Sequence, residues 1–212
     1  MIALELFWSF FQIGLFSIGG GYAALPLIQD EFDTDIAGVL EPTCLRAADA
    51  TKNGKIGVLG TPGTIRSGKY LQTLKRLNSG LEIYTKACPM FVPLVENGYL
   101  NGPATEIIAK EYLLPLKQSG IDTLILGCTH YPLLRPVIQT IMGDAVTLID
   151  AGAETAVFVK QQLYERDLLC GRGHGSAQYF VSDTVEGFTE LAGMFLNQKL
   201  EGSVHTVNIE SY

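Results

Sequence analysis

The amino-acid sequence predicts an α/β fold, a parallel sheet with helices on both faces. Two observations lead to this prediction. Short apolar runs rich in β-branched residues, typical of buried strands, alternate along the chain with amphipathic segments of helical periodicity. The 212 residues are 47% hydrophobic, which is enough for a sizeable core and too apolar for a disordered chain. Such alternation is typical of parallel strands joined by helical crossovers.

Five strand–helix pairs follow one another from about residue 36 onward. The strands are the short runs KIGVLGT, LEIYTKA, TLILGCT, AVTLID and QYFVSD, and each precedes a segment with apolar residues every three or four positions. In chain order, the pairs are 55–61 with 65–77, 81–87 with 105–118, 123–129 with 133–141, 145–150 with 154–167, and 178–183 with 185–198. We predict that all five strands are buried.

Charge and cysteine content exclude several classes of protein. The chain has 15 Lys plus Arg against 22 Asp plus Glu, and a net charge of −7 argues against binding to a phosphate backbone. Four cysteines, at positions 44, 88, 128 and 170, are too few for a disulfide framework and lack the paired spacing of a zinc site. We therefore expect no nucleic-acid partner, no metal and a reducing, cytoplasmic location.

The N-terminal segment differs in composition from the rest of the chain. Residues 6–29 carry no charge, which is about the length that a membrane-spanning helix needs. Glycines at 19–21 and Pro26 interrupt the run, so an unbroken helix is expected only to about residue 18. Membrane contact through residues 2–28 and packing of an apolar helix on the core both remain open. Residues 6–28 (LFWSFFQIGLFSIGGGYAALPLI) resemble the first membrane segment of the chromate transporter family.

Ligands of parallel α/β sheets bind beyond the carboxyl ends of the strands, so the residues there are the first functional candidates. After the first strand, glycines and the hydroxyls of Thr61 and Thr64 precede a helix. This arrangement is a candidate nest for a carboxylate or phosphate. It is equally typical of a simple helix cap.

A second strand end carries three reactive groups in a row. Cys128, Thr129 and His130 are followed by Pro132 at the start of a helix. A thiol in that position can have its pKa lowered by the helix N-terminus and by an imidazolium. The alternative is a buried core cysteine with a capping threonine.

A third candidate is Glu96, which follows nine residues without an acid or a base. A carboxylate that emerges from an apolar surround needs a partner, and His130 is the candidate. The alternative is a solvated glutamate at the start of the loop that continues with Asn97 and Gly98.

Residues 36–212 resemble the glutamate racemase family through a series of motifs in the family's order. The motifs are VLEP, KNGKIGVLGTPGTIRSGKY, ACPMFVPLVENG, DTLILGCTHYPLL, VTLIDAGAETA and YFVSD. The resemblance implies a cofactor-independent racemase that interconverts L-glutamate and D-glutamate and supplies D-glutamate for peptidoglycan. It also implies two similar α/β domains with the substrate between them. Homo-oligomer formation is left open.

The resemblance assigns roles to the candidate residues. Cys128 is implied to be one of two acid–base cysteines, with His130 and Glu96 as its catalytic support. Thr129 and His130 are implied to contact or orient the substrate and the thiol. Thr61 and Thr64 complete the set of substrate-binding candidates. No lysine stands in a setting that suggests a pyridoxal Schiff base, so no cofactor is expected.

The sequence departs from the family pattern near the N-terminus. The family's Asp-Ser-Gly-x-Gly-Gly loop and its first catalytic thiol, in a Cys-Asn-Thr-Ala-like motif, are both absent. Cys44 follows Glu41-Pro42 at a predicted domain hinge and is a poor substitute. We therefore expect a chimera: a transporter-like segment (1–33), a nearly whole racemase-like domain (36–150), and a C-terminal segment (151–212) of a truncated first domain. Impaired racemase activity is expected, and a non-catalytic membrane-associated fragment is the alternative.

Overall fold

The structure, a computed structural model, describes residues 37–169, 178–182, 185–196 and 204–208. Its centre is a four-stranded sheet of β1 (Lys55–Gly60), β2 (Glu82–Ala87), β3 (Thr123–Leu126) and β4 (Thr147–Asp150). The strand order is β2-β1-β3-β4 and every pairing is parallel. A separate parallel pair consists of β5 (Tyr179–Val181) and β6 (Val204–Thr206). The predicted α/β class with a parallel sheet is confirmed.

The helices lie between the strands in the chain. In order, they are α1 (Leu40–Ala50), α2 (Pro62–Ser67), α3 (Lys69–Leu77), α4 (Phe91–Glu96), α5 (Pro103–Gln118), a 3₁₀ turn (Tyr131–Leu134), α6 (Arg135–Met142), α7 (Ala151–Glu165) and α8 (Val185–Leu196). None of the helices in the described part of the chain is both long and apolar enough to cross a lipid bilayer. The predicted apolar helix and membrane contact of residues 2–28 lie outside the described residues.

Alternate residues of the strands pack into two cores, one on each face of the sheet. In β3, Leu124 and Leu126 join the larger core, whereas Ile125 joins the smaller one. This alternation follows from the period of two along a strand. The larger core is completed by α4, α5, the 3₁₀ turn and α6, and the smaller core by α1 and α3. Helices therefore cover both faces, as the sequence predicts.

Burial of all five strands was expected, and two strands depart from this prediction. The edge strand β2 has no fully buried residue, whereas the other edge strand, β4, buries Leu148 and Ile149. Strand β5 lies outside the main sheet, and its Phe180 is exposed. The run 178–183 has the composition of a buried strand, but in the described part of the chain it pairs only with β6, over three residues, and Phe180 stays exposed.

Two further differences concern helices. The segment predicted as one helix, 65–77, is broken at Gly68, whose φ of 65° ends α2 and starts α3. The region around Cys44, interpreted from the sequence as a hinge, is the 11-residue helix α1. Cys44 is fully buried there in the smaller core. Its surroundings are those of a packing residue.

Candidate active site

The register of the main sheet brings the ends of three strands to one edge. The N–H of Cys88 donates to the carbonyl of Gly60 (2.9 Å), and the N–H of Gly127 donates to the carbonyl of Leu59 (2.9 Å). Residues that follow β1, β2 and β3 therefore emerge at the carboxyl edge of the sheet, where ligands of such folds bind. Cys128 is one of them, directly after Gly127.

Gly127 allows the close approach of β3 to its neighbour just before Cys128. A Cβ atom at this position would lie 2.6 Å from the carbonyl oxygen of Leu59 and 3.1 Å from the ring of Tyr70. The first of these atoms belongs to the backbone and cannot move aside. Only glycine fits, and the position of Cys128 follows from it.

The side chains of Cys128, His130 and Glu96 form a row. Cys128 Sγ lies 3.9 Å from His130 Nδ1, and His130 Nε2 lies 3.2 Å from Glu96 Oε1. A carboxylate only accepts hydrogen bonds, so Nε2 carries the proton that it donates to Glu96. In the neutral ring, Nδ1 is then an acceptor that faces the thiol. Thr129 Oγ1, 3.2 Å from the same Nδ1, is a second donor to it.

The core determines the position of both ends of this row. Tyr131, which follows His130, is fully buried, and its hydroxyl donates to the carbonyl of Cys88 (3.1 Å). The ring of Phe91 packs edge-on against the ring of Tyr131, with centroids 5.2 Å apart. Phe91 begins α4 and Glu96 ends it. The packing of Phe91 against Tyr131 therefore sets the distance between Glu96 and His130.

The electrostatic environment of the thiol differs from the sequence expectation. Burial raises the pKa of Cys128, although the N–H groups of His130 and Tyr131 and the hydroxyl of Thr129 oppose the shift. The predicted lowering of this pKa is therefore wrong, because loss of hydration outweighs the donors. Burial also raises the pKa of Cys44 and of Cys88, each to about 12. Cys128 is the only one of the three that is partly exposed.

We expect Cys128 to be alkylated faster than Cys44 and Cys88. Its thiol is partly exposed and faces an imidazole acceptor, whereas the other two are fully buried. Because its pKa is raised, the rate should increase with pH from neutral into the alkaline range. Limited alkylation followed by peptide mapping measures the order, with Cys128→Ser as the control for assignment. Faster labelling of Cys88 would contradict the expectation.

Alkylation is best measured below the pH at which the fold itself weakens. The pKa values of Cys44 and Cys88 are raised to about 12 in the folded chain. Each buried neutral thiol therefore favours folding fully below its usual pKa, and this stabilisation is lost as the pH rises from there to about 12. Labelling of these two residues at high pH would report unfolding.

Thr61 and Thr64 serve as a helix cap in this structure. Thr61 Oγ1 accepts from the N–H of Thr64 (3.3 Å) and lies 3.0 Å from Thr64 Oγ1. This is the local arrangement expected of a residue that precedes a helix. Their contact with a substrate stays a prediction, as do the catalytic roles of Cys128, His130 and Glu96 and the binding role of Thr129.

The sequence reasoning missed one residue that contacts this row. Phe195, in α8, packs against the His130 ring with centroids 5.5 Å apart and planes at 90°. Its only signal in the sequence is its place in the apolar pattern of 185–198, which does not distinguish it from other apolar residues. Among the described residues, no cluster of His, Cys, Asp and Glu could hold a metal ion.

Most of the chain is similar to known racemases. The Asp/Glu/Hydantoin racemase family matches residues 21–159, so the match begins before residue 36, where the sequence resemblance starts. A glutamate racemase from Geobacter metallireducens is 43% identical over 189 residues, which cover 89% of this chain and 70% of that protein.

Two solved structures are similar in fold. A glutamate racemase isoform from Bacillus anthracis has a TM-score of 0.82 and 36% identity, over 88% of this chain and 70% of that chain. A glutamate racemase from Francisella tularensis, in complex with D-glutamate, has a TM-score of 0.79 and 28% identity, over 90% of this chain and 70% of that chain. The chain therefore belongs to the Asp/Glu racemase family and is a homologue of glutamate racemase.

Proposed function

We propose that this chain carries out cysteine acid–base chemistry on glutamate and that Cys128 serves one face of the α-carbon. The row from Glu96 through His130 to Cys128 is the observation that carries the proposal. The D-glutamate bound to the Francisella tularensis homologue supports glutamate as the substrate. The chain would thus belong to the isomerases that provide D-glutamate for peptidoglycan.

The first step generates the base. The thiol proton of Cys128 moves to Nδ1 of His130, which leaves a thiolate beside an imidazolium. Glu96 accepts the hydrogen bond from Nε2 and stabilises the positive ring. This transfer offsets the effect of burial, which by itself favours the neutral thiol.

The second step breaks the α-carbon–hydrogen bond of the substrate. The Cys128 thiolate takes the α-proton and becomes a thiol, and the electron pair of the C–H bond remains on the α-carbon and spreads into the α-carboxylate. The thiol hydrogen exchanges with solvent, and the thiol then returns a solvent-derived proton to the same face. No cofactor is needed for this balance, since one sulfur both accepts a proton and returns one.

Inversion of the α-carbon needs a second proton donor on the opposite face. The family's Cys-Asn-Thr-Ala-like motif is absent from this sequence. Cys44 and Cys88 are fully buried and offer no thiol to a substrate at the sheet edge. We therefore propose that the chain by itself exchanges the α-hydrogen without interconverting the enantiomers, and that a partner chain supplies the other face when racemisation occurs.

The proposed domain division agrees with the positions of the two sheets. All strands of the main sheet lie within 36–150, and both strands of the small sheet lie within 151–212. We propose that the first range forms the racemase-like domain that carries Cys128. The second range would contribute to the other domain of the family.

We expect the purified chain to exchange the α-hydrogen of one glutamate enantiomer slowly in deuterated water, without inversion. Proton NMR of L-glutamate and of D-glutamate, incubated separately, measures the loss of the α-signal. Cys128→Ala should abolish the exchange, because the other described thiols, Cys44 and Cys88, are fully buried. Cys44→Ala is the matched control and should leave it unchanged.

Two results would overturn the proposal. Racemisation at ordinary turnover by the purified chain, insensitive to Cys128→Ala, would assign the chemistry to other residues. Absence of exchange with both enantiomers, in a chain whose Cys128 is still alkylated selectively, would exclude glutamate as a substrate of this chain.

A further inference from the structure

The helix α8 contributes one aromatic ring to the row of reactive groups. Phe195, the penultimate residue of α8, lies edge-to-face with the His130 imidazole at a centroid distance of 5.5 Å. Perpendicular aromatic pairs at this separation attract each other beyond the effect of burial alone. Phe195 is 37% exposed, so its ring covers the imidazole at the protein surface.

The orientation of the His130 ring is critical for the row. Nδ1 faces Cys128 Sγ at 3.9 Å, and Nε2 faces Glu96 Oε1 at 3.2 Å. A partial turn about the Cβ–Cγ bond would tilt the ring plane and move both nitrogens out of line with the thiol and the carboxylate. Both contacts would then be lost. The Glu96 side chain is 49% exposed, so its hydrogen bond competes with water and restrains the ring only weakly.

We propose that Phe195 is a positioning residue that holds the His130 imidazole with Nδ1 toward Cys128 and Nε2 toward Glu96. This inference rests on the proposed function, in which His130 accepts the thiol proton. The edge-to-face contact restrains the plane of the His130 ring. The hydrogen bonds at the two ends of the ring restrain this plane only weakly. Phe195 makes no contact of its own with the substrate in this proposal.

A substitution at Phe195 leaves the titratable groups around the thiol unchanged. The titratable groups that interact with Cys128 are Glu96, from α4, and Cys88 and Tyr131, together with His130 itself. Among the α8 side chains that the structure describes, Glu190 is the titratable one, and it is exposed. Phe195 is uncharged. Replacing it with another uncharged residue therefore changes none of these charges, and a change in the titration of Cys128 would arise from the ring of His130.

The experiment is the pH profile of Cys128 alkylation by iodoacetamide in the full chain. The plateau at high pH reports access to the thiolate, and the midpoint reports how readily the thiolate forms. Phe195→Leu keeps an apolar cover but removes the aromatic ring. We expect it to move the midpoint upward, with roughly three- to tenfold less thiolate at neutral pH, as the usual strength of an aromatic pair implies. Phe195→Tyr should restore the midpoint, and Leu196→Ala, the adjacent exposed position, should leave it unchanged.

The same substitution in a chain that lacks the His130 ring shows whether Phe195 positions the imidazole or only shields the thiol. In His130→Ala, the further change Phe195→Leu should have no effect on the midpoint, because the two substitutions act through one ring. A change of the plateau alone, or an equal midpoint shift in the His130→Ala background, would show that Phe195 only covers the thiol and would overturn the proposal.

If Phe195→Leu does not fold, Phe195→Met is the second variant, because methionine keeps a long apolar side chain at this exposed position but has no ring. It should raise the midpoint as Phe195→Leu does, and an unchanged midpoint would overturn the inference. These measurements need no glutamate, so failure of the chain to exchange the substrate's α-hydrogen would disprove the proposed function and leave this test intact.

Discussion

Replacement of His130 by alanine should lower the rate of α-hydrogen exchange by about 100-fold or more, the usual contribution of a positioned acid–base group. Two effects combine. Nδ1 no longer accepts the proton of Cys128, and the burial that raises the pKa of this thiol then acts without a compensating base. Proton NMR in deuterated water measures the exchange, and the alkylation rate of Cys128 at neutral pH should decrease with it.

The matched control for this change is His205→Ala. His205 lies in β6 and packs against Phe180 rather than against the thiol, so its loss should leave both rates unchanged. Added imidazole should restore part of the exchange in His130→Ala, because a small base can occupy the space that the ring has left. A His130→Ala chain with unchanged exchange would show that the thiol is activated without the imidazole.

Replacement of Phe91 by alanine should lower the free energy of unfolding by about 3–5 kcal/mol, which is typical for a large aromatic residue removed from a core. Phe91 is fully buried and contacts the rings of both Tyr112 (5.3 Å) and Tyr131 (5.2 Å). The cavity also removes the contact that connects α4 to the turn after His130. Urea denaturation measures the loss, which would be a large fraction of the stability of an ordinary domain.

Phe91→Leu and Met90→Ala are the controls for this prediction. Leucine fills much of the cavity and should lose less stability than alanine. Met90 is the exposed neighbour of Phe91, so its truncation should be nearly neutral. A loss below about 1 kcal/mol in Phe91→Ala would mean that the larger core closes around the cavity, contrary to the usual partial relaxation.

Much of the fold could be predicted from the sequence because strand composition is a local property. The runs around Val58 and Ile125 are apolar on both faces, and they form the two central strands. The break at Gly68 and the exposure of Phe180 could not be predicted, since both depend on where the chain packs. The 11-residue helix α1 was missed because Pro42 and the short apolar pattern around Cys44 suggest a boundary.

The candidate site, too, could be predicted from the sequence only in part. Cys128, Thr129 and His130 adjoin one another in the sequence, so their proximity follows directly from the chain. Glu96 lies 34 positions earlier than His130. Its place after an apolar run suggested His130 as a partner but left a solvated loop residue open as the alternative, and the pairing was implied only by the family resemblance. Nothing in the sequence indicates that Phe195 contacts His130, because most residues of its helix are apolar and Phe195 does not differ from them. The shift of the Cys128 pKa was predicted with the wrong sign because the sequence does not show how deeply the thiol is buried.

The order of these elements along the chain has a consequence during synthesis on the ribosome. All four strands of the main sheet, and with them Glu96, Cys128 and His130, precede residue 151, whereas Phe195 is added 45 residues after Asp150. At the usual speed of translation this interval lasts roughly 2–9 s. Small mixed α/β domains typically fold within about a second, which is shorter than this interval. The row of reactive side chains therefore forms before Phe195 joins it, and by the positioning role proposed for Phe195, Cys128 should carry less thiolate in this interval than in the finished chain.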